Sequence, residues 1–302
     1  MKKIFTCLVL LIVAQQYVVC QQTPLYSQYM MNEYLINPGI TGSLNAIPIR
    51  LQARQQWTGV KGAPSTQIIS AHSLLNPEMG VGGYIFKDKF GPISSTGVQA
   101  TYAYHLKINQ NVKLGLGVGF ALFQFQFDER DLISIEENDN VLTGGVESRL
   151  VPDANIGAYL YSEKYFAGLS ILQILQNSIG FENQTDGAIT LSRQYYLYGG
   201  YKFELNANFY LQASILLKVV AESPFEPDIN LKAFYKKNYW LGLSYRSDDS
   251  FVTMLGIKYQ KYYFGYSVGF SFSTLKNYTH GCHEIVIGID IPNKVLKSKS
   301  SY

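Results

Sequence analysis

Residues 262–272 read YYFGYSVGFSF and alternate between two kinds of side chain. Every second side chain is aromatic or aliphatic, and most of the positions between them hold glycine or serine. This period of two predicts a β-strand with one apolar and one polar face. A strand of about ten residues is also long enough to cross a bilayer when it is tilted.

The same alternation recurs along the chain, for example in segments 98–107, 209–219 and 285–291. Turn residues separate such segments, and we count about fourteen strands. Short connections alternate with longer ones, which include 89–93, 129–152 and 176–192. The predicted strands start near Ile47, Thr66, Met79, Ser94, Val112, Asp153, Tyr165, Arg193, Phe209, Pro227, Tyr239, Phe251, Tyr262 and His283.

Alternating short turns and long loops are typical of outer-membrane barrels. Because every backbone polar group in a bilayer needs a partner, a membrane-spanning sheet has to close on itself. We therefore predict an all-β fold, a transmembrane antiparallel β-barrel of about 14 strands in an outer membrane. A soluble sandwich is the alternative, in which the apolar faces of two sheets would meet.

The composition agrees with a membrane barrel. Charged residues make up 16% of the 302 residues, less than the roughly one quarter that is usual in soluble domains. The chain holds 24 tyrosines and 17 phenylalanines, and outer-membrane barrels carry aromatic girdles at both interfaces. The net charge of +3 comes without a basic stripe, so nucleic-acid binding is not expected.

The N-terminus has the features of a secretory signal peptide, since Lys2 and Lys3 precede a short apolar run. We predict cleavage after Cys20, and lipidation of Cys20 is the alternative. Past the signal peptide, Cys282 is the one remaining cysteine, so no internal disulfide is expected. We place the short turns and both termini in the periplasm. The predicted regions are a signal peptide (1–20), an N-terminal periplasmic arm or plug (21–45), the barrel (46–292) and a basic C-terminal tail (293–302).

The alternation changes phase once, within segment 112–127. Large side chains occupy one face up to Leu122, whereas Phe123, Phe125 and Phe127 follow on the other face. A β-bulge adds one unpaired residue to a strand and would restore the alternation. We therefore expect a bulge near Leu122.

Three alternate glycines, Gly115, Gly117 and Gly119, lie in the same segment. They do not form a phosphate-binding loop, because neither a helix nor a Lys-Ser/Thr pair follows them. Glycines on one face of a strand let backbone or interior side chains approach closely. We expect such a close approach on the polar face of this strand.

No catalytic, cofactor or metal site is predicted. The four histidines, His72, His105, His280 and His283, lack metal-ligand spacing on one strand face. The acidic stretch 128–140 lacks the spaced Asp/Asn residues and central glycine of a calcium-binding EF-hand loop, and a solvated external loop is the preferred interpretation. No nucleophile-elbow pattern is present. These patterns identify no catalytic site, and an outer-membrane enzyme of phospholipase type is a weaker alternative.

Three segments carry a recognisable signature. They read SQYMMNEYLINPGITGS (27–43), RQQWTGVKGAPSTQ (54–67) and GCHEI (281–285). Together they resemble the PorP/SprF family of the Bacteroidota type IX secretion system, with Cys282 where that family usually has serine. The motif residues, which are candidates for partner contact, are Gln28, Tyr29, Met30, Asn37, Pro38, Arg54, Gln56, Trp57, Gly62, Ala63, Pro64, Gly281, His283 and Glu284.

The resemblance implies a non-enzymatic outer-membrane component that supports secretion or surface attachment of proteins such as gliding adhesins. The implied partners are secreted proteins with type IX C-terminal domains, other subunits of the secretion or gliding machinery, and outer-membrane lipid. The sequence departs from the family pattern at residues 32–34 and at Gly39, which leaves the cargo open. A barrel of about fourteen strands can also enclose a lumen, so an outer-membrane transport channel for small or hydrophobic solutes is the alternative.

Overall fold

The computed structural model describes residues 29, 32–131, 145–180, 189–221, 223, 225–247, 250–272 and 277–293. The predicted signal peptide, residues 132–140 of the acidic stretch and the tail from residue 294 onward lie outside these described residues. Most of the described chain is β-strand.

Fourteen strands of the described chain form one closed antiparallel barrel. Consecutive barrel strands pair with each other, and β1 pairs with β16 from Ala46 opposite Pro292 to Gln55 opposite His283. Two further short strands, β8 and β9, pair only with each other. The strands are β1 (Ala46–Gln55), β2 (Ser65–Asn76), β3 (Met79–Phe90), β4 (Ile93–Lys107), β5 (Lys113–Asp128), β6 (Val146–Tyr161), β7 (Tyr165–Leu172), β8 (Ser178–Ile179), β9 (Ile189–Thr190), β10 (Gln194–Glu204), β11 (Phe209–Val220), β12 (Glu226–Tyr235), β13 (Tyr239–Arg246), β14 (Ser250–Tyr259), β15 (Tyr262–Ser271) and β16 (Cys282–Pro292).

The connections define two ends of the barrel. The short-turn end carries the start of β1 and the end of β16 together with the turns 77–78, 108–112, 162–164, 205–208, 236–238 and 260–261. The long-loop end carries the connections 56–64, 91–92, 129–145, 173–193, 221–225, 247–249 and 272–281. This alternation is the arrangement of outer-membrane barrels.

The alternating faces of the strands are those expected from the sequence. In β4, Gln99, Thr101 and His105 are buried inside the barrel, whereas Val98 and Leu106 are exposed on the outside. An exposed apolar face and a polar interior are the reverse of a soluble fold, and they suit a barrel whose outer surface meets lipid. The predicted membrane barrel is therefore confirmed.

Three local expectations were wrong. β6 starts at Val146 instead of near Asp153, because it pairs residue by residue with β5 along the whole length of both strands. The connection between β3 and β4 is only 91–92, since the ladder between these strands continues to Phe90 opposite Ile93. The expected loop 176–192 contains the paired strands β8 and β9.

The expected bulge near Leu122 is also absent. β5 pairs one-to-one with β4 and β6 through the phase change, without a register shift. Phe123 instead points into the barrel, where it packs in an apolar cluster with Val151, Ile179 and Leu191. The phase changes because the interior becomes apolar near the long-loop end, where β8 and β9 cover it.

Among the described residues, no helix has the length and apolar character that crossing a membrane requires. Two short 3-10 turns, Glu33–Leu35 and Pro38–Ile40, precede β1. A third, Glu129–Asp131, follows β5. The first two belong to the segment that enters the lumen.

The orientation of Phe123 can be tested with lipids. Phe120 is 70% exposed and Phe123 only 6% exposed. In a background with Trp57 and Trp240 changed to phenylalanine, we expect brominated acyl chains to quench the fluorescence of Phe120→Trp strongly and that of Phe123→Trp weakly. Equal quenching at the two positions would contradict the in-register strand.

Candidate functional site

The segment before β1 lies inside the barrel. We call Tyr29 and residues 32–45 the arm. Near β1 the arm is at the short-turn end, where Gly42 approaches Gly80 and Leu74. At its other end, the Tyr29 hydroxyl accepts a hydrogen bond of 2.7 Å from Asn230 on β12. Asn230 pairs with Ser244, two residues before the long-loop end of β13. The arm therefore runs up the lumen from the short-turn end.

Inward-facing glycines allow the arm to lie directly against the barrel wall. A Cβ atom at Gly80 would lie 2.1 Å from the carbonyl oxygen of Thr41, and one at Gly117 would lie 2.3 Å from the carbonyl carbon of Pro38. Both distances are far below van der Waals contact, so only glycine allows the arm this close. We call Gly80, Gly115, Gly117 and Gly157 the glycine seat, since at each of them the nearest atom to an added Cβ belongs to the arm.

Polar side chains of the wall bind the main chain of the arm. The Ser170 hydroxyl donates to the carbonyl oxygen of Ile36. Nε2 of His105 donates to the carbonyl oxygen of Thr41 at 2.8 Å, and Nδ1 of His72 accepts from the Gly42 amide at 3.0 Å. These contacts satisfy backbone groups that would otherwise be buried without partners.

The Asn37-Pro38-Gly39 motif closes the turn that lies on the seat. Oδ1 of Asn37 accepts from the Gly39 amide at 2.8 Å and caps the 3-10 turn that Pro38 begins. Nδ2 of Asn37 donates to the carbonyl oxygen of Ala158 at 2.9 Å. One asparagine therefore shapes the arm and attaches it to β6, which explains the residue type.

Other arm side chains reach the middle of the lumen. The Tyr34 hydroxyl donates to Thr101 at 2.9 Å, and its ring centroid lies 5.0 Å from that of His72. Nδ2 of Asn32 donates to Ser70 at 3.0 Å. Burial raises the pKa of Glu33 above its ordinary value, and the nearby ammonium of Lys232 acts in the opposite direction. The arm is thus bound by both polar and apolar contacts.

The second motif segment lies at the long-loop end beside the third. Arg54 pairs with Glu284 across the β1–β16 ladder. Beyond the strands, the Thr58 amide donates to the carbonyl oxygen of Gly281 at 2.9 Å, and the His280 amide donates to that of Thr58 at 2.8 Å. We call loops 56–64 and 277–281 the seam loops. Two motifs more than 200 residues apart in sequence therefore form one structural unit.

The turn residues of this unit are explained by backbone geometry. Gly59, Gly62 and Gly281 all have positive φ, at 99°, 74° and 93°. Trp57 also has positive φ, 47°, and its ring packs edge-on against Phe90 with 6.3 Å between centroids. Residues with side chains rarely adopt this region, so the glycines belong to the fold of the loop.

The motif residues fall into two places. Tyr29, Asn37 and Pro38 belong to the arm in the lumen, whereas Gln28 and Met30 lie outside the described residues. The other nine motif residues lie in or next to the seam loops: Arg54, Gln56, Trp57, Gly62, Ala63, Pro64, Gly281, His283 and Glu284. Within that group, Glu284 faces inward and accepts from Gln52, whereas His283 bonds to Tyr266 at 2.7 Å.

The histidines have roles that the sequence did not suggest. His72 and His105 bind the arm's backbone, and the Tyr161 hydroxyl bonds to Nδ1 of His105 at 3.1 Å. In the part of the chain that is described, no cluster of three or more His, Cys, Asp or Glu side chains is suited to a metal ion. The sequence analysis did not identify Gly80 and Gly157 as contacts of the arm. For Gly80 a signal was present, because the alternating glycines of MGVGGY (79–84) resemble those at Gly115 and Gly117.

The comparisons with known proteins agree with this architecture. Residues 18–289 match the family described as type IX secretion system membrane protein PorP/SprF. No curated protein matches the chain. Among solved structures, the TodX deltaS2S3 mutant monoaromatic hydrocarbon channel has 10% sequence identity and a TM-score of 0.50, over 87% of this chain and 94% of that chain. The Ralstonia pickettii toluene transporter TbuX has 11% identity and a TM-score of 0.49, over 92% and 96%. At such identities the likeness to the TodX mutant concerns the fold alone.

The seam loops can be tested with two glycine substitutions. A Cβ at Gly281 would lie 2.6 Å from the carbonyl oxygen of Gly269, whereas one at Gly91 would have nothing within 4 Å, although φ is also positive there at 55°. We expect Gly91→Ala to cost about 1 kcal/mol and Gly281→Ala about 2–3 kcal/mol, because only the latter adds a backbone clash to the strain. Urea unfolding in detergent micelles measures both, and equal costs would contradict the close approach.

Proposed function

This chain belongs to the PorP/SprF family of type IX secretion system membrane proteins, and from that membership we propose that it is a non-enzymatic outer-membrane component of this system. Its role in this proposal is to support the secretion or surface attachment of proteins such as gliding adhesins. The observation that carries the proposal is the family match over residues 18–289.

The connections support the proposed orientation. Long loops outside and short turns in the periplasm are usual for outer-membrane barrels, and in this orientation the seam loops face the cell exterior. The C-terminal strand β16 ends at Pro292 on the short-turn end, so the C-terminal tail starts in the periplasm in this orientation. The N-terminal arm enters the lumen from that same end.

The seam loops are the proposed contact surface for a secreted protein with a type IX C-terminal domain or for another subunit of the machinery. Nine of the fourteen motif residues lie in these loops or in the strand ends next to them, and Val60, Lys61 and Tyr278 project from the loops, with Tyr278 76% exposed. The ladder between β1 and β16 provides a rigid base for these loops. Exposed side chains on a rigid base suit recognition of a protein partner.

The alternative, a transport channel for small or hydrophobic solutes, receives less support. The arm occupies the lumen beside β3 to β7, and large side chains such as Trp240 and Tyr263 are buried elsewhere in the interior. Conductance of the unmodified protein in planar bilayers separates the two functions. Reproducible open channels would favour transport, whereas a secretion component with an occupied lumen is expected to stay closed.

Charge reversal on the seam loops tests the contact surface. Lys61 is exposed in loop 56–64, and Lys164 is an exposed lysine in the turn 162–164 at the other end. In cells that lack the gene, we expect the wild-type chain and Lys164→Glu to restore surface display of the dependent adhesin, and Lys61→Glu to reduce it several-fold, since reversing a charge at an interface costs affinity. Immunofluorescence on intact cells measures display.

Two outcomes would contradict the proposal. If display is normal in cells that lack the gene, the chain is not needed for surface attachment. If Lys61→Glu and Lys164→Glu restore display equally well, the seam loops do not contact the partner through this lysine.

A further inference from the structure

The wall of the lumen binds both the main chain and the side chains of the arm. Ser170, His105 and His72 contact the backbone groups of Ile36, Thr41 and Gly42, respectively. The glycine seat allows the close approach of backbone atoms. Side chains of the arm bind the wall as well: Asn37 donates to carbonyl oxygens of β6 and β7, and Tyr34 donates to Thr101. A surface of this kind suits a peptide that has asparagine, proline and a small residue at these positions and forms the same 3-10 turn.

The sheet that carries the glycine seat closes without a strand from the arm. Every barrel ladder in the described chain joins two barrel strands, and the arm contributes no strand to the sheet. At Gly117, all three atoms closest to an added Cβ belong to Pro38 or Gly39 of the arm. The arm therefore contacts the wall as a bound peptide would, and it is attached to the wall covalently through β1.

The seat also begins at one end of the barrel. Gly80 is the second residue of β3 and Gly115 the third residue of β5, so both lie at the short-turn end. A peptide arriving from that end meets the seat first. The long-loop end above the same strands is covered by the apolar cluster of Phe123, Ile179 and Leu191.

From these contacts we infer that the glycine seat is a peptide-binding site, occupied in this structure by the chain's own arm. Its ligand class is a peptide in which asparagine caps a turn of proline and a small residue, supplied from the short-turn end by a segment of a partner protein. The arm competes with that segment and keeps the site filled when the partner is absent. This inference goes beyond the proposed secretion role and does not depend on which cargo is displayed.

The experiment weakens the binding of the arm to the wall and leaves the residues of the glycine seat unchanged. In the full chain, Tyr34→Ala with Asn37→Ala removes the hydrogen bonds to Thr101, Ala158 and Leu169. The probe is a fluorescent synthetic peptide with the sequence of residues 32–43, and binding is measured by fluorescence anisotropy in detergent micelles. We expect no binding to the wild-type chain and saturable binding to the arm variant.

Two controls address the specificity of the site. Adding Gly117→Ala to the arm variant is expected to abolish peptide binding, whereas adding Gly269→Ala is expected to preserve it, because a Cβ at Gly269 would meet its neighbours at 3.5 Å or more. A peptide with Asn37→Ala is expected to bind about tenfold more weakly, since it loses the hydrogen bonds of that side chain.

Displacement of the arm from the lumen is measured separately, by the accessibility of a thiol. Ser70 is buried under Asn32, so a Ser70→Cys thiol, in a Cys282→Ser background, is expected to react with a charged thiol reagent in the arm variant and to be protected in the wild-type chain. If the thiol reacts but no peptide binds, the seat is not a peptide-binding site and the proposal is overturned. If the thiol stays protected in the arm variant, the arm is an irreplaceable part of the core and the proposal is equally overturned. Either failure leaves the proposed role in secretion standing.

Discussion

The contact between the backbone of the arm and the glycine seat is the constraint on which the interior depends. Wall side chains suffice to fill a barrel of about eight strands, but the diameter grows with strand number. The fourteen strands of this barrel enclose a wider space. The arm fills it beside β3 to β7, and it fits only because Gly80, Gly115, Gly117 and Gly157 have no side chains.

On the opposite part of the wall, large side chains of the barrel strands fill the lumen instead of the arm. Gly256 is covered by the Trp240 ring, since an added Cβ would lie 2.3 Å from it, and Gly288 is covered in the same way by Arg50 at 2.7 Å. Trp240 stacks on Tyr263 with 6.4 Å between centroids, and the Arg50 guanidinium lies 4.8 Å from the Tyr263 ring centroid. Glycines therefore occur on both sides, but large wall side chains cover one group and the arm covers the other.

Several charged side chains inside the barrel form ion pairs. Arg246 donates to Asp228 through Nε and Nη2, and Asp290 accepts from both Arg50 and Lys258. Removing one partner of such a pair leaves an uncompensated charge away from water, which typically costs about 3–5 kcal/mol.

The barrel was predictable from the sequence because a period of two determines which face each side chain takes. The start of β7 at Tyr165 and that of β15 at Tyr262 are as predicted. The prediction from alternation failed at Phe123, where the interior of the barrel changes from polar to apolar along one strand. Assigning faces from alternation requires that the interior is polar along the whole strand. The prediction also failed at β6, whose first residues, including Arg149 and Pro152, do not alternate cleanly.

The candidate site was predictable only in part. The sequence identified Asn37, Pro38 and the seam residues through their motifs and expected a close approach at Gly115 and Gly117. It gave no sign that His72, His105 and Ser170 bind the arm, because those contacts join residues from 30 to more than 130 positions apart. Long-range partners of this kind follow from the closed barrel and cannot be read from local patterns.

Photocrosslinking from the arm tests the central claim most directly. With the benzophenone amino acid p-benzoylphenylalanine replacing Tyr34, irradiation of native outer membranes followed by mass spectrometry identifies what the side chain touches. An arm seated in the lumen predicts an intramolecular adduct on β2, β3 or β4, since His72, Tyr84 and Thr101 surround the Tyr34 side chain. Adducts only to other proteins or to lipid would contradict the account.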